Sequence, residues 1–184
     1  MKTLKLIGLL GILLAMGFIF TGCSGGGGDS DTWSNITSIE QVNGTWKGSF
    51  SETQTMKKYI ESGGQTWTAE MQESLGDMKI KLTVDMIVTI NSVAKNITGT
   101  QSVTLAFSGG KIKDIWPELK YQFSGPGVSV NDSNYSVSWT DSINETINES
   151  DFAGFQINQN KKKIRFPASD MGFESGKDFI LTKQ

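Results

Sequence analysis

Alternation of apolar and polar residues is the feature that most constrains how this chain can fold. From Lys79 to Ile90, apolar side chains occupy every second position, and Ile87 is the one apolar residue out of phase. Because successive side chains of a strand point to opposite faces of a sheet, this pattern predicts a long antiparallel strand with one face in a core. The apolar positions in phase are Ile80, Leu82, Val84, Met86, Val88 and Ile90.

Shorter alternating groups recur along the rest of the chain. They lie at residues 103–107, 119–123, 135–139, 164–166 and 179–181. Segments rich in Gly, Asn, Pro and Ser separate them, and these residues tolerate tight or left-handed backbone. Short strands at this spacing predict an all-β fold of eight to ten strands, either a barrel or a β-sandwich.

Two segments fit both a helix and a strand. In residues 65–76, Trp67 and Met71 are four residues apart, as on a helix, but they also fit an alternating pattern. In residues 140–150, Ser142 and Glu145 have the spacing of a helical capping box. Either segment could form a short helix that closes a barrel end, and the residues alone leave both possibilities open.

The first 23 residues have the pattern of an export signal. Lys2 and Lys5 precede a 15-residue uncharged run, Leu6–Phe20, which is followed by Thr21, Gly22 and Cys23. An apolar run of this length is too short for a spanning helix, and its basic start and small-residue end indicate a cleaved signal peptide. An ordinary secretory signal cleaved nearby and an uncleaved membrane anchor are the alternatives.

The Gly22-Cys23 pair resembles the end of the lipobox of bacterial lipoprotein precursors, although Phe20 stands where that family prefers Leu. The resemblance implies that residues 1–22 are a signal peptide and that Cys23 becomes the N-terminus, carrying a diacylglycerol and an N-acyl chain. Several acyl chains give stable attachment to a membrane. The implied location is the cell envelope, and Ser24 favours the outer membrane if the source has one.

The segment after Cys23 is expected to be a tether. Gly25–Gly28 and the acidic residues that follow cannot bury apolar area, so residues 23–37 are predicted to be a flexible linker and residues 38–184 a single β-domain. By random-coil scaling, the ten residues from Cys23 to Trp33 have a mean reach of about 17 Å.

Composition excludes several classes of function. The chain has no histidine and one cysteine, so Ser-His and Cys-His nucleophilic sites, His-ligated metals and intrachain disulfides are excluded. Without Lys2 and Lys5, 15 of the 17 basic residues remain against 19 acidic ones, so no nucleic-acid partner is expected. Acidic residues at 141–151 lack the order of an EF-hand and are read as a solvated face, so no metal is expected.

One basic cluster stands out in this acidic chain. Lys161-Lys162-Lys163-Ile164-Arg165 follows an Asn-Gln-Asn turn. Lysines commonly protect an edge strand from pairing with other chains, and this is the favoured interpretation. The alternative is attraction to anionic headgroups, which contributes about 1 kcal/mol per basic residue near the surface.

Within the β-domain, Gly44-Thr45-Trp46 resembles the Gly-x-Trp motif on the first strand of calycins, the group of lipocalins and avidins. Ile97-Thr98-Gly99-Thr100 is similar to strand starts of the same barrels. The resemblance implies a single antiparallel up-and-down barrel in which Trp46 plugs one end and Lys183 lies across it. A β-sandwich with a buried Trp is the alternative.

An eight-stranded barrel encloses room for side chains or for one small apolar molecule. The sequence therefore predicts a non-catalytic envelope lipoprotein that binds a small or apolar ligand; the alternative is a structural or protein-interaction module with a packed core. No cofactor beyond the Cys23 lipid is expected. The predicted ligand-binding residues are Trp46, Phe50, Met86, Phe107, Tyr121 and Trp139.

Overall fold

The computed structural model describes residues 32–62, 64–167 and 178–184. The predicted signal peptide, Cys23 and most of the predicted tether lie outside these residues. The strands in the described part are β1 (Trp33–Asn35), β2 (Gly44–Thr55), β3 (Lys79–Asn91), β4 (Asn96–Ser108), β5 (Ser129–Asn131), β6 (Ser136–Thr146), β7 (Gln156–Asn158), β8 (Lys163–Pro167) and β9 (Asp178–Lys183). The helices are α1 (Met56–Ser62), α2 (Ala69–Leu75) and α3 (Ile112–Gln122), with 3-10 turns at Ile39–Val42 and Glu149–Phe152.

The nine strands form one sheet in the order β1-β7-β8-β9-β2-β3-β4-β6-β5. The fold is therefore mostly antiparallel β, as the alternation predicts, and the number of strands falls within the expected range. The sheet has β1 and β5 as its two edges in the described residues, so it is not closed into the predicted barrel. Alternation specifies which face of a strand is buried, but it carries no information on whether edge strands meet.

Strand β3 confirms the prediction made from its alternating pattern. The in-phase residues Leu82, Val84 and Val88 are buried, whereas Ile87 is 46% exposed on the opposite face. Met86 shares the phase of the buried residues but is only half-buried. One face of this strand therefore packs in a core, and the cover over that face is thinner at Met86.

The described residues divide into two compact units, and the long strands contribute to both. Residues 51–62, 64–83 and 103–139 form the first, here called the helical unit because it contains α1, α2 and α3. Its core is apolar, and helix α3 packs by aromatic contacts: the Trp116 ring lies 6.2 Å from Phe107 and 5.6 Å from Tyr135.

Residues 32–50, 84–102, 140–167 and 178–184 form the second, here called the aromatic unit. A row of phenylalanine rings crosses the buried face of its strands. Ring centroids are 6.1 Å apart for Phe50 and Phe179, 4.9 Å for Phe179 and Phe166, and 4.7 Å for Phe166 and Phe155. Aromatic pairs at these separations stabilise a core beyond the area they bury.

The strand predicted at residues 119–123 is wrong, because this segment lies in or just after helix α3. The apolar residues of α3 recur at intervals of three and four, which is the helical period, and the alternation of Leu119, Tyr121 and Phe123 is a coincidence. The buried face of α3 consists of Ile112, Ile115, Trp116 and Leu119.

The two ambiguous segments resolve in opposite ways. Residues 69–75 form helix α2, whose first turn is capped by the Thr68 hydroxyl, 3.2 Å from the amide nitrogen of Met71. Residues 136–146 form strand β6, so the Ser142–Glu145 spacing does not start a helix. A capping box instead occurs at Asn148, where the 3-10 turn begins.

Two boundaries differ from the sequence predictions. Residues 33–35, assigned to the tether, form β1 and pair with β7, so the fold begins before Ser38. Strand β8, predicted to be a protected edge, lies between β7 and β9. Hydrogen-bonding partners distant in sequence decide both points, and local composition does not reveal them.

Candidate functional site

The predicted ligand-binding residues differ in burial and belong to two units. Tyr121 is 75% exposed on α3, so the prediction that it points inward is wrong; it rested on the mistaken strand at 119–123. Of the other five, Trp46, Phe50 and Phe107 are buried, and Met86 and Trp139 are half-buried.

Trp46 has a defined environment in the aromatic unit. Its indole Nε1 donates to the carbonyl oxygen of Val42 at 2.6 Å, and the Lys183 ammonium lies 5.3 Å from the ring centre. Strand pairing explains this contact, because Trp46 and Lys183 face each other across β2 and β9. The predicted position of Lys183 over Trp46 is therefore confirmed. With a fully buried ring and a paired N–H, Trp46 closes the core and offers no group to a ligand.

Gln54, in the helical unit, is the candidate ligand-binding residue. It is 6% exposed, and within the described residues neither its amide nitrogen nor its amide oxygen has a hydrogen-bond partner. A buried polar group without a partner costs about 1–3 kcal/mol, so such groups in proteins normally meet a protein atom, a water molecule or a ligand.

The neighbours that the strand register gives Gln54 on β3 are apolar. Ser51 bonds to Thr83 across β2 and β3, and the Met56 amide donates to the Met78 carbonyl at 2.9 Å. These two pairs fix the antiparallel register of β2 and β3, in which Gln54 lies opposite Ile80. Met56, Met78 and Ile80 are at most 1% exposed. These apolar side chains cannot supply the hydrogen bonds that the Gln54 amide lacks.

Glu52 adds a second polar atom on the same face of β2. Side chains at positions 46, 50, 52 and 54 share the inner face, and one carboxylate oxygen of Glu52, Oε2, is buried without a partner. Gln54 offers a donor and an acceptor, and the buried carboxyl oxygen of Glu52 offers an acceptor. A ligand group that both donates and accepts hydrogen bonds, such as a hydroxyl or an amide, complements this pair.

Asn158 in the aromatic unit differs from Gln54, although its Nδ2 is also buried and unpaired. Its side-chain oxygen accepts from the backbone amides of Lys162 and Lys163, each at 2.9 Å. Those bonds shape the turn between β7 and β8, so Asn158 has a structural role.

Arg165 organises a charged cluster on the outer face of the aromatic unit. Its guanidinium lies 4.4 Å from the Trp33 ring centre, donates to the Gln156 side chain at 2.8 Å and is 3.4 Å from the Asp178 carboxylate. Burial raises the pKa of Asp178, and the nearby Arg165 charge offsets part of that rise. Arg165 contacts Trp33, Gln156 and Asp178, so the cluster stabilises the strands, although the Trp33 Nε1 is buried without a hydrogen-bond partner in the described residues.

The sequence of β2 contains a pattern that predicts a buried polar side chain at Gln54. On β2, Trp46, Phe50 and Gln54 follow each other at intervals of four on the even, inward phase of the strand. A polar residue at an inward position of an alternating strand indicates a buried polar group. The Gly-x-Trp motif covers only the first three residues of β2.

The described residues contain neither a metal-binding group of side chains nor a membrane-spanning helix. Within those residues, no three His, Cys, Asp or Glu side chains come together in a way that could hold a metal ion. None of the helices in the same part of the chain combines the length and apolar character required to cross a bilayer.

Comparison of the chain with known protein families, curated proteins and solved structures gave no match.

Proposed function

We propose that this chain is a non-catalytic, lipid-anchored protein of the cell envelope whose helical unit holds one small, largely apolar ligand. The observation that carries the ligand is Gln54, whose whole amide is buried without a partner. The lipid anchor rests on the residues that precede and include Cys23.

The ligand lies on the inner face of β2, next to Gln54 and Glu52. Its apolar part meets the residues around Met56, Met78 and Ile80, and its polar group exchanges hydrogen bonds with the Gln54 amide. Methionine side chains suit this role because they are flexible and adapt to irregular apolar shapes.

The arrangement at Trp46 supports a calycin-like origin for the β-domain. Strands β2 and β9 are far apart in sequence yet adjacent in the sheet, with Lys183 across Trp46. That pairing is the one the calycin resemblance implies for a barrel. We therefore propose that the pairing of β2 with β9 derives from a calycin-like antiparallel barrel.

Native mass spectrometry of the processed protein, purified from the envelope of its host, tests the ligand. We expect a non-covalent small molecule on the wild-type protein and its loss from Gln54→Leu. Gln122→Leu is the matched control, because it makes the same chemical change at an exposed position of the helical unit.

Two results together would contradict ligand binding. The wild-type protein would carry no small molecule in the native mass spectrum, and Gln54→Leu would raise the free energy of unfolding by about 1–3 kcal/mol. Removing an unpaired amide stabilises a protein whose interior is simply packed. The anchor is tested separately by Cys23→Ala and fractionation of the producing cells. A variant that remains in the membrane fraction as fully as wild type contradicts lipidation.

The second candidate is an envelope module that binds another protein. Val93 at the tip of the turn between β3 and β4 is 94% exposed, and Ile87 on the outer face of β3 is 46% exposed. Both belong to the aromatic unit and leave apolar area open to a partner. A stoichiometric protein that co-purifies with wild type and is lost from Val93→Ser would favour this function over ligand binding.

A further inference from the structure

We propose that the turn between β7 and β8 docks on anionic phospholipid headgroups through Lys161 and Lys162, and so fixes the orientation of the aromatic unit on the membrane. The proposal rests on the lipid anchor at Cys23 and is independent of the ligand at Gln54. This pair of lysines is here called the basic turn.

The position of β8 in the sheet removes the simplest explanation for these lysines. Lysines on an edge strand block pairing with another chain. Strand β8 is internal, however, with β7 on one side and β9 on the other. Lys161 and Lys162 lie before β8, in the turn, and both are exposed. Protection of an edge therefore does not account for them.

The backbone of the basic turn is strained at a lysine. Lys161 has a φ of 55°, a left-handed conformation in which Gly or Asn is the usual residue. Non-glycine residues held in such conformations cluster at functional positions, where the surrounding structure maintains them. Here the Lys161 amide donates to the Asn158 carbonyl at 2.8 Å, and the Lys162 amide donates to the Asn158 side chain.

The two ammonium groups of the basic turn have no acidic partner among the described residues. Within the described residues, neither the Lys161 nor the Lys162 ammonium forms an ion pair. The Lys162 carbonyl accepts from the Lys183 amide at 2.8 Å, which ties the turn to the end of β9. In a mature chain with more acidic than basic residues, the Lys161–Lys162 pair is a local concentration of positive charge.

The anchored end of the chain reaches the fold beside the basic turn. The amide of Gln159 donates to the carbonyl of Thr32 at 2.9 Å, and β1 begins at the next residue, Trp33. Trp33 is the tenth residue after Cys23, so even a fully extended link spans at most about 35 Å. With Cys23 lipidated, the basic turn lies within reach of the headgroups.

Hydrogen–deuterium exchange of the lipidated protein on vesicles tests the docking. The wild-type protein is reconstituted into vesicles of phosphatidylcholine alone and of phosphatidylcholine with 30% phosphatidylglycerol, a composition on the order of natural anionic surfaces. Each lysine near an anionic surface contributes about fivefold to binding. We expect amides of residues 159–163 to exchange at least about fivefold more slowly on the anionic vesicles, and the difference to disappear in high salt.

Two double variants with the same change in charge complete the test. Lys161→Glu with Lys162→Glu should abolish the lipid-dependent slowing. Lys111→Glu with Lys113→Glu, at exposed positions at the start of α3, should retain it. Equal exchange of residues 159–163 in the two kinds of vesicle, for a protein that floats with both, overturns the docking and leaves the anchor intact. A wild-type protein that does not float with phosphatidylcholine vesicles overturns the anchor and the docking together.

Discussion

The Lys183 ammonium lies 5.3 Å from the centre of the Trp46 ring, and the two residues face each other across β2 and β9. A cation over an indole face is attracted by the electron density of the ring. The contact joins the first long strand of the sheet to the last, which makes it a marker of correct strand order.

Replacing Lys183 with Met tests the energetic value of this contact. The variant keeps much of the aliphatic stem and removes the charge, so the free energy of unfolding should fall by about 0.5–1 kcal/mol. Urea denaturation measures it. Lys47→Met, on the exposed face of β2, is the control and should change stability less. Equal effects of the two variants would show that the ammonium contributes nothing through Trp46.

Gly99 is predicted to be irreplaceable by alanine. A Cβ at this position would lie 2.1 Å from the Ile87 carbonyl oxygen and 2.8 Å from the Val88 Cα, and both are backbone atoms of β3. The strands must separate to accept it, which should destabilise the protein by about 1–3 kcal/mol. Gly125→Ala, whose Cβ meets no atom within 4 Å, is the control. If Gly99→Ala and Gly125→Ala have the same thermal unfolding midpoint, the close approach of β3 and β4 is contradicted.

The Arg165–Asp178 pair should respond asymmetrically to substitution. Arg165→Met leaves the mostly buried Asp178 carboxylate unpaired and removes the stacking on Trp33, so stability at neutral pH should fall by about 3 kcal/mol. Asp178→Asn removes a charge that burial already disfavours. The free energy of unfolding should therefore change by no more than about 1 kcal/mol. Lys81→Met, an exposed change on β3, serves as the control.

The pH dependence of Arg165→Met follows from the raised pKa of Asp178. A carboxyl whose pKa is higher in the folded than in the unfolded protein stabilises the fold as it becomes protonated. The free energy of unfolding of the variant should therefore rise as pH falls through the pKa of folded Asp178. Urea denaturation between neutral pH and pH 4 measures this, and a deficit that stays constant over the range would contradict it.

Asp132 should contribute stability with the opposite dependence on pH. Its carboxylate accepts from the Lys120 ammonium at 2.9 Å and from the Trp116 indole at 2.7 Å, and these bonds lower its pKa. The contribution is present above the pKa of unfolded Asp, about 3.9, and is lost as pH falls through the lower pKa of the folded state.

Asp132→Asn tests this contribution. The variant should be less stable than wild type at pH 7, and the difference should vanish in strong acid, as followed by tryptophan fluorescence during unfolding. Asp77→Asn changes an exposed acidic residue of the same unit and serves as the control. A difference between wild type and Asp132→Asn that does not depend on pH would show that the carboxylate charge is not responsible.

Local patterns in the sequence determined which segments form strands with one buried face. The alternation of residues 79–90 specified β3 because a half-buried strand requires period two. The Gly-x-Trp motif placed Lys183 over Trp46 because the calycin resemblance supplied a pairing that the alternation does not contain. The Leu119–Phe123 alternation failed, since three residues fit a helix as readily as a strand when their neighbours are ignored.

Tertiary structure alone decided which strands form the edges and which polar groups are buried without a partner. Strand order depends on hydrogen bonds between segments far apart in the chain, so neither the internal position of β8 nor the pairing of β1 with β7 was visible in local composition. For Gln54, the sequence shows only an inward polar position on β2. Its isolation depends on Met56, Met78 and Ile80, which offer apolar side chains where a hydrogen bond is required.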